Sequence, residues 1–111
     1  MKFKWLNKSR IEQRKGRNCW AKCCFELTDF STHAVASVVT KGNSDDANGC
    51  NLEGNAAWLR VCRVGNNFAF HYSVDGVNFY MIRYFHLPAD PAIKVGLLAQ
   101  APIGDGGVRV Y

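Results

Sequence analysis

From residue 19 onwards the chain consists of short runs rich in β-branched and aromatic residues, with turn residues between them at regular intervals. The turn residues include Gly-Asn-Asn at 65–67, Asp-Gly at 75–76 and a glycine-rich segment at 104–107. Regularly spaced short strands without an amphipathic helical pattern are typical of an antiparallel sandwich or barrel. The sequence therefore predicts an all-β fold.

Seven strands are predicted, at residues 19–27, 33–41, 56–64, 68–73, 78–85, 94–99 and 108–111. Residues 42–55 are rich in Asn, Asp and Gly, a composition that favours a polar loop. Pro88 and Pro91 exclude residues 86–92 from a central strand, because proline cannot donate to the hydrogen-bond ladder.

The charge is concentrated at one end of the 111-residue chain. Residues 1–22 hold eight of the fourteen Lys and Arg residues and one acid, a net charge of +7, whereas residues 23–111 carry −2. We expect residues 1–18 to form a flexible or weakly helical basic leader and residues 19–111 to form one β-sandwich domain. A basic leader attracts phosphates or anionic lipids, but RNA-binding faces usually interleave aromatic and basic residues on a folded surface. Nucleic acid and membranes are therefore not the expected partners.

The composition also indicates a compartment. No apolar run approaches the roughly 18–20 residues that span a bilayer, and a polar stretch follows the basic N-terminus where a secretory signal would need an apolar one. Five cysteines form an odd set, which favours reduced thiols in a cytoplasmic protein. On a strand, Cys23 and Cys24 point to opposite faces and cannot easily share a metal ion. We expect no metal and no cofactor.

Trp20, Lys22 and Glu26 are candidate ligand-binding residues because their even spacing places them on one face of a strand. In the functional interpretation, Trp20 offers a stacking surface and the two charges orient ligand hydroxyls. In the structural interpretation, Lys22 and Glu26 form a cross-strand ion pair beside a packed aromatic ring. The sequence leaves both open.

Arg60 and Tyr72 complete the candidate set. An arginine on an aromatic-lined sheet grips a carboxylate or sugar hydroxyls, or it stacks on a ring such as that of Trp58 with its head in solvent. Tyr72 lies beside the ligand in one interpretation and anchors the turn at 75–76 in the other.

Catalysis finds little support in the sequence. Glycoside hydrolysis needs two carboxylates roughly 5–10 Å apart, and the E-x-D-x-x-E pattern of glucanase-like sandwiches is absent. Three His and five Cys residues carry no local nucleophile–base signature. We expect no enzymatic activity.

Several segments in order resemble a known family. They are Trp20-Ala21-Lys22 with Glu26, residues 35–40, Ser44-Asp45, residues 58–61 with Arg63, residues 72–76, Gly96, residues 101–104 and Gly106. This series resembles the largely uncharacterised concanavalin A-like proteins that include the fungal regulation-of-enolase protein. The resemblance covers residues 19–111 and implies a jelly-roll sandwich of two antiparallel sheets, whose concave sheet holds carbohydrate in lectins and glucanases.

The chain departs from that family in two respects. Asp46 stands where the family usually has Trp after Ser-Asp, which changes any stacking or packing surface there. Family members are also longer on the N-terminal side, so the resemblance implies an N-terminally truncated chain. Either the strands of this chain close the sandwich, or the sandwich is incomplete. An incomplete sandwich exposes strand edges, and we expect copies of the chain to associate through them into a homo-oligomer.

The sequence thus predicts a non-catalytic lectin-like module. We expect it to bind carbohydrate on a concave sheet through Trp20, Lys22, Glu26, Arg60 and Tyr72. The alternative is an intracellular protein-interaction or regulatory module that acts on a metabolic enzyme such as enolase.

Overall fold

The structure is a computed structural model that describes residues 19–97. Six strands form in this range: β1 (Cys19–Leu27), β2 (His33–Lys41), β3 (Asn43–Leu52), β4 (Trp58–Val64), β5 (Asn67–Ser73) and β6 (Tyr80–His86). None of the described residues lies in a helix long and apolar enough to cross a membrane.

The strands pair into two antiparallel sheets. The first sheet has the order β1-β2-β3 and the second has the order β4-β5-β6. Every pairing is between strands adjacent in sequence, which short turns permit only in antiparallel arrangements. The prediction of an all-β sandwich of two antiparallel sheets is confirmed.

The core lies between the sheets. Ala21, Cys23 and Val39 of the first sheet pack against aromatic residues of the second, and the cluster is completed by Phe68, Phe70, Phe85 and Leu87. The odd-numbered residues of β1 and β2 therefore face inward. Because side chains alternate along a strand, the even-numbered residues of these two strands face outward.

A hairpin turn holds β5 and β6 together at one end of the second sheet. The Asp75 carboxylate accepts hydrogen bonds from the backbone N–H groups of Val77 and Asn78 and from the Ser73 hydroxyl, each at 2.8 Å. Gly76 has a φ of 75°, which suits glycine. The predicted Asp-Gly hairpin is present.

Two strand predictions are wrong. Residues 43–52 form β3 where a loop was expected, because backbone pairing with β2 overrides the low β-propensity of Asn, Asp and Gly. Residues 94–97 of the predicted strand 94–99 are not in a strand. The predicted leader at 1–18 and the predicted strand at 108–111 lie outside the described residues.

Candidate functional site

The outward face of the first sheet is built from aligned rows of three residues, one from each strand. Four rows run along the sheet: Trp20–Thr40–Ser44, Lys22–Val38–Asp46, Cys24–Ala36–Asn48 and Glu26–Ala34–Asn51. The end rows are separated by six residues of β1, which is roughly 20 Å at about 3.3 Å per residue. We name this surface the polar trough.

The floor of the polar trough is formed by β2, whose outward residues are all small. Val38 and Thr40 are buried although they point away from the second sheet, whereas Ala34 and Ala36 remain half-buried. Adjacent strands lie about 4.8 Å apart, so the strands on either side of this floor are roughly 10 Å from each other. The side chains of β1 and β3 flank this floor as two walls, and within the β1 wall Cys24 is 2% exposed.

The two walls differ in chemistry. The β1 wall carries an indole, an ammonium and a carboxylate from Trp20, Lys22 and Glu26, all half-buried. The β3 wall carries neutral and acidic oxygen and nitrogen groups, which are exposed and come from Ser44, Asp46, Asn48 and Asn51. Hydrogen-bond donors and acceptors thus flank a floor that is apolar except for Thr40.

Two hydrogen bonds fix the ends of the β3 wall. The hydroxyls of Thr40 and Ser44 are 2.8 Å apart at one end. At the other end, the Thr32 hydroxyl donates to Oδ1 of Asn51 at 3.4 Å. This second bond leaves the two N–H donors of the Asn51 amide pointed away from Thr32.

A β-bulge places Asn51 on the same face as Asn48. The register shifts between Ala34 and Ala36, so Val35 lies opposite two residues, Gly49 and Cys50. A Cβ at Gly49 would lie 2.6 Å from the Val35 carbonyl oxygen, so only glycine fits there without displacement. Without the extra residue, normal alternation would turn Asn51 inward.

A residue of the second sheet contacts β3 on the face opposite the polar trough. A hydrogen bond between the Tyr72 hydroxyl and the Cys50 side chain raises the pKa of Tyr72 above its ordinary value, and burial adds to the shift. The Tyr72 ring also packs against that of Tyr80, with centroids 5.7 Å apart. Tyr72 thus lies between the sheets and supports the bulge, outside the polar trough.

Arg60 lies on the far side of the molecule. Its neighbours Leu59 and Val61 pack against the core, so Arg60 points outward from the second sheet. Its guanidinium stacks on the ring of Phe79, with Cζ 4.1 Å from the ring centroid. The expected stacking partner Trp58 is on the same face, but Phe79 takes that role.

His71 lies between Arg60 and Met81 in the second sheet. Its Nδ1 atom is buried and has no hydrogen-bond partner among the described residues. Partial burial lowers the pKa of His71, and the nearby positive charge of Arg60 lowers it further. The imidazole is therefore biased towards its neutral form.

The five sequence-predicted residues do not line one surface. Trp20, Lys22 and Glu26 share the polar trough, as their even spacing predicts, while Tyr72 is between the sheets and Arg60 is on the opposite side. Asn48 and Asn51 were not predicted as wall residues, because residues 42–55 were expected to form a loop. Residues 43–46 are all polar, so no alternation along this segment indicated a strand.

The chemistry of the polar trough suits recognition of hydroxyl groups. Amides, carboxylates and an ammonium provide both donors and acceptors, and Trp20 provides a flat apolar surface. The described residues contain no group of three or more His, Cys, Asp or Glu side chains that could hold a metal ion. None of the five cysteines, all of which are among the described residues, forms a disulfide, and Cys23 and Cys24 point to opposite faces as predicted.

A family described as "Protein of unknown function (DUF1349)" matches residues 10–111, which is most of the chain. The chain belongs to the DUF1349 family. No curated protein matches it. Within this DUF1349 chain, the match covers all six strands and therefore both the polar trough and the outward face of the second sheet.

Proposed function

We propose that this DUF1349 chain is a non-catalytic, lectin-like module that binds carbohydrate in the polar trough. The observation that carries the proposal is the arrangement of the first sheet, where small side chains form a floor between two hydrogen-bonding walls. Sugars present hydroxyls around their edges and C–H groups on their faces, so they need polar walls and an apolar surface together.

Trp20 and the β3 wall have separate roles in this proposal. The Trp20 ring stacks against a sugar face at one end of the polar trough. Asp46 and the amides of Asn48 and Asn51 then accept from and donate to hydroxyls along the groove. The wider family resemblance, to concanavalin A-like sandwiches that hold sugars on a sheet, supports the same surface.

A glycan array followed by titration calorimetry tests the proposal. We expect wild type to bind a defined set of glycans and Trp20→Ala to lose binding to all of them. Because Trp20 also contributes to packing, Asn51→Ala on the exposed β3 wall is the second variant. Loss of one or two hydrogen bonds should weaken its binding roughly five- to twentyfold.

The matched control uses a second lysine. Lys22→Gln removes an ammonium group from the wall of the polar trough. Lys41→Gln removes one from the exposed end of β2, on the other face of the first sheet. Only the first should weaken glycan binding. A folded wild type that binds no glycan, or equal losses in the two lysine variants, would overturn the proposal.

A second candidate function is favoured by a different surface. Val64, Met81 and Tyr84 are 80%, 57% and 63% exposed on the second sheet, and exposed apolar groups of this kind mark protein interfaces. This supports an intracellular protein-interaction module acting on a metabolic enzyme such as enolase, in line with the resemblance to regulation-of-enolase-type proteins. Calorimetry with purified enolase tests it, and Tyr84→Ser should abolish the heat of binding. Absence of any heat with wild type would exclude that partner.

A further inference from the structure

The three arginines in the described part of the chain differ in what occupies their donors. Arg63 donates to the carbonyl oxygens of Gly65, Asp90 and Pro91 at 2.7–3.1 Å, which ties β4 to the segment after β6. Arg83 donates to the carbonyl oxygen of Asp45 at 3.0 Å. Arg60 makes no hydrogen bond to any of the described residues. Its five N–H groups are therefore available to a ligand.

Arg60 is nevertheless held in position. The ring of Phe79 lies 4.1 Å from its Cζ atom and covers one face of the guanidinium. Stacking of this kind fixes the plane of an arginine while leaving its edge open. The open edge of a guanidinium matches the two oxygens of a carboxylate.

An exposed indole lies next to this arginine. Trp58 precedes Arg60 by two residues, so both side chains leave the same face of β4 about 6.5–7 Å apart along the strand. Trp58 is 51% exposed. Its other side rests against the hairpin turn, where a Cβ on Gly76 would come within 3.1 Å of the ring. Trp58 thus presents a flat apolar surface in a fixed position.

We infer that Trp58, Arg60 and Phe79 form a second binding site, on the opposite side of the sandwich from the polar trough, for a ring compound that carries a carboxylate. The carboxylate takes the open edge of the Arg60 guanidinium, and the ring of the ligand stacks on the indole of Trp58. His71, which lies beside Arg60, is biased to the neutral form and adds no second charge. The same chemistry is offered by an aromatic acid and by an acidic sugar.

The test follows the Trp58 indole N–H and the Arg60 Nε–H by ¹H–¹⁵N NMR, with each signal assigned from its variant, Trp58→Phe and Arg60→Gln. Benzoate represents the aromatic acids and glucuronate the acidic sugars. Benzamide and glucose are the matched neutral compounds. We expect at least one acid to shift both signals with saturation and its neutral counterpart to bind roughly ten- to hundredfold more weakly.

The outcomes distinguish an aromatic acid from an acidic sugar, and the Arg60 site from the polar trough. Saturable shifts with benzoate alone assign an aromatic acid, and shifts with glucuronate alone assign an acidic sugar. Arg60→Gln should remove acid binding and leave glycan binding in the polar trough unchanged, whereas Lys22→Gln should do the reverse. Absence of shifts with both acids, or equal shifts with the neutral compounds, would overturn the inference without affecting the proposed function of the polar trough.

Discussion

Arg83 on β6 donates a hydrogen bond from Nη1 to the backbone carbonyl oxygen of Asp45 on β3, at 3.0 Å. This bond connects the second sheet to the first. Asp45 immediately precedes Asp46, a residue of the polar trough wall. The bond therefore positions the wall from the opposite sheet.

We expect Arg83→Met to lower the free energy of unfolding by about 1–2 kcal/mol, because it removes a charged donor from a backbone acceptor while keeping most of the side-chain volume. Chemical denaturation followed by circular dichroism measures this. Lys41→Met, at an exposed position, is the control and should change stability by less than about 0.5 kcal/mol. Equal stability of the two variants would contradict the role of the inter-sheet bond.

Gly49→Ala should be strongly destabilising, because the new methyl group would lie 2.6 Å from the Val35 carbonyl oxygen in the bulge. We expect a loss of about 2–3 kcal/mol, as for other forced overpacking. The matched control is Gly96→Ala, where a Cβ meets no atom within 4 Å. A Gly49 variant as stable as the Gly96 variant would show that β3 pairs with β2 in another register.

Asp75 predicts a dependence of stability on acid. Hydrogen bonds from the Asn78 and Val77 backbone N–H groups, followed by those from the Asn78 and Ser73 side chains, hold the pKa of Asp75 well below its usual range. Its contribution to stability is therefore present above the ordinary aspartate pKa and is lost as the pH falls below it. Asp75→Asn should be less stable than wild type at pH 7, and the difference should shrink towards pH 2. Thermal unfolding of both proteins between pH 7 and pH 2 measures this difference in stability. A difference that stays constant with pH would contradict the prediction.

Burial raises the pKa of Cys23 to about 12, and the neighbouring Cys24 adds to the effect. Because the thiolate is the reactive form, Cys23 should resist alkylation in the native state at pH 8, while exposed Cys62 reacts. Mass spectrometry after iodoacetamide treatment identifies the modified residue. Unfolding should make the two rates similar, and equal rates in the native protein would disprove the assignment.

The same thiol affects stability in alkali. In the unfolded chain Cys23 ionises from about pH 9, the ordinary value for the thiol, whereas in the fold it stays protonated to about pH 12. The contribution of the protonated Cys23 thiol to the free energy of unfolding is thus complete below pH 9, and it is lost as the pH rises towards 12. Cys23→Ala should reduce the loss of stability between pH 8 and pH 10.5, measured by denaturation. An unchanged loss would show that other groups cause it.

The sequence predicted β1 and β2 with their observed bounds because both strands are packed on the inward face and flanked by clear turns. It did not predict β3, whose residues are exposed on both faces and so give no apolar alternation. The bulge at Gly49 and Cys50 interrupts what polar alternation exists. This strand forms by backbone pairing with β2, and the residues of β3 themselves carry no pattern that indicates it.

The placement of the candidate residues on the sheets was predicted only in part, for a related reason. Even spacing correctly placed Trp20, Lys22 and Glu26 on one face, because alternation is a property of a single strand. Spacing cannot say which sheet a strand joins, and therefore it could not separate Arg60 and Tyr72 from that face. Arg60 on β4 stacks on Phe79, which directly precedes β6. These two residues become neighbours only because β4 and β6 both pair with β5.

The exposure of β3 has a consequence for how this surface can change. Its wall residues contribute little to the core, so substitutions at Asp46 and Asn48 should cost little stability. If the polar trough binds a ligand as proposed, its preference could drift, or be selected from a randomised library, while the sandwich tolerates the changes. Under the proposed function, a strand that carries recognition but little packing would make the first sheet a suitable scaffold for evolving new specificities.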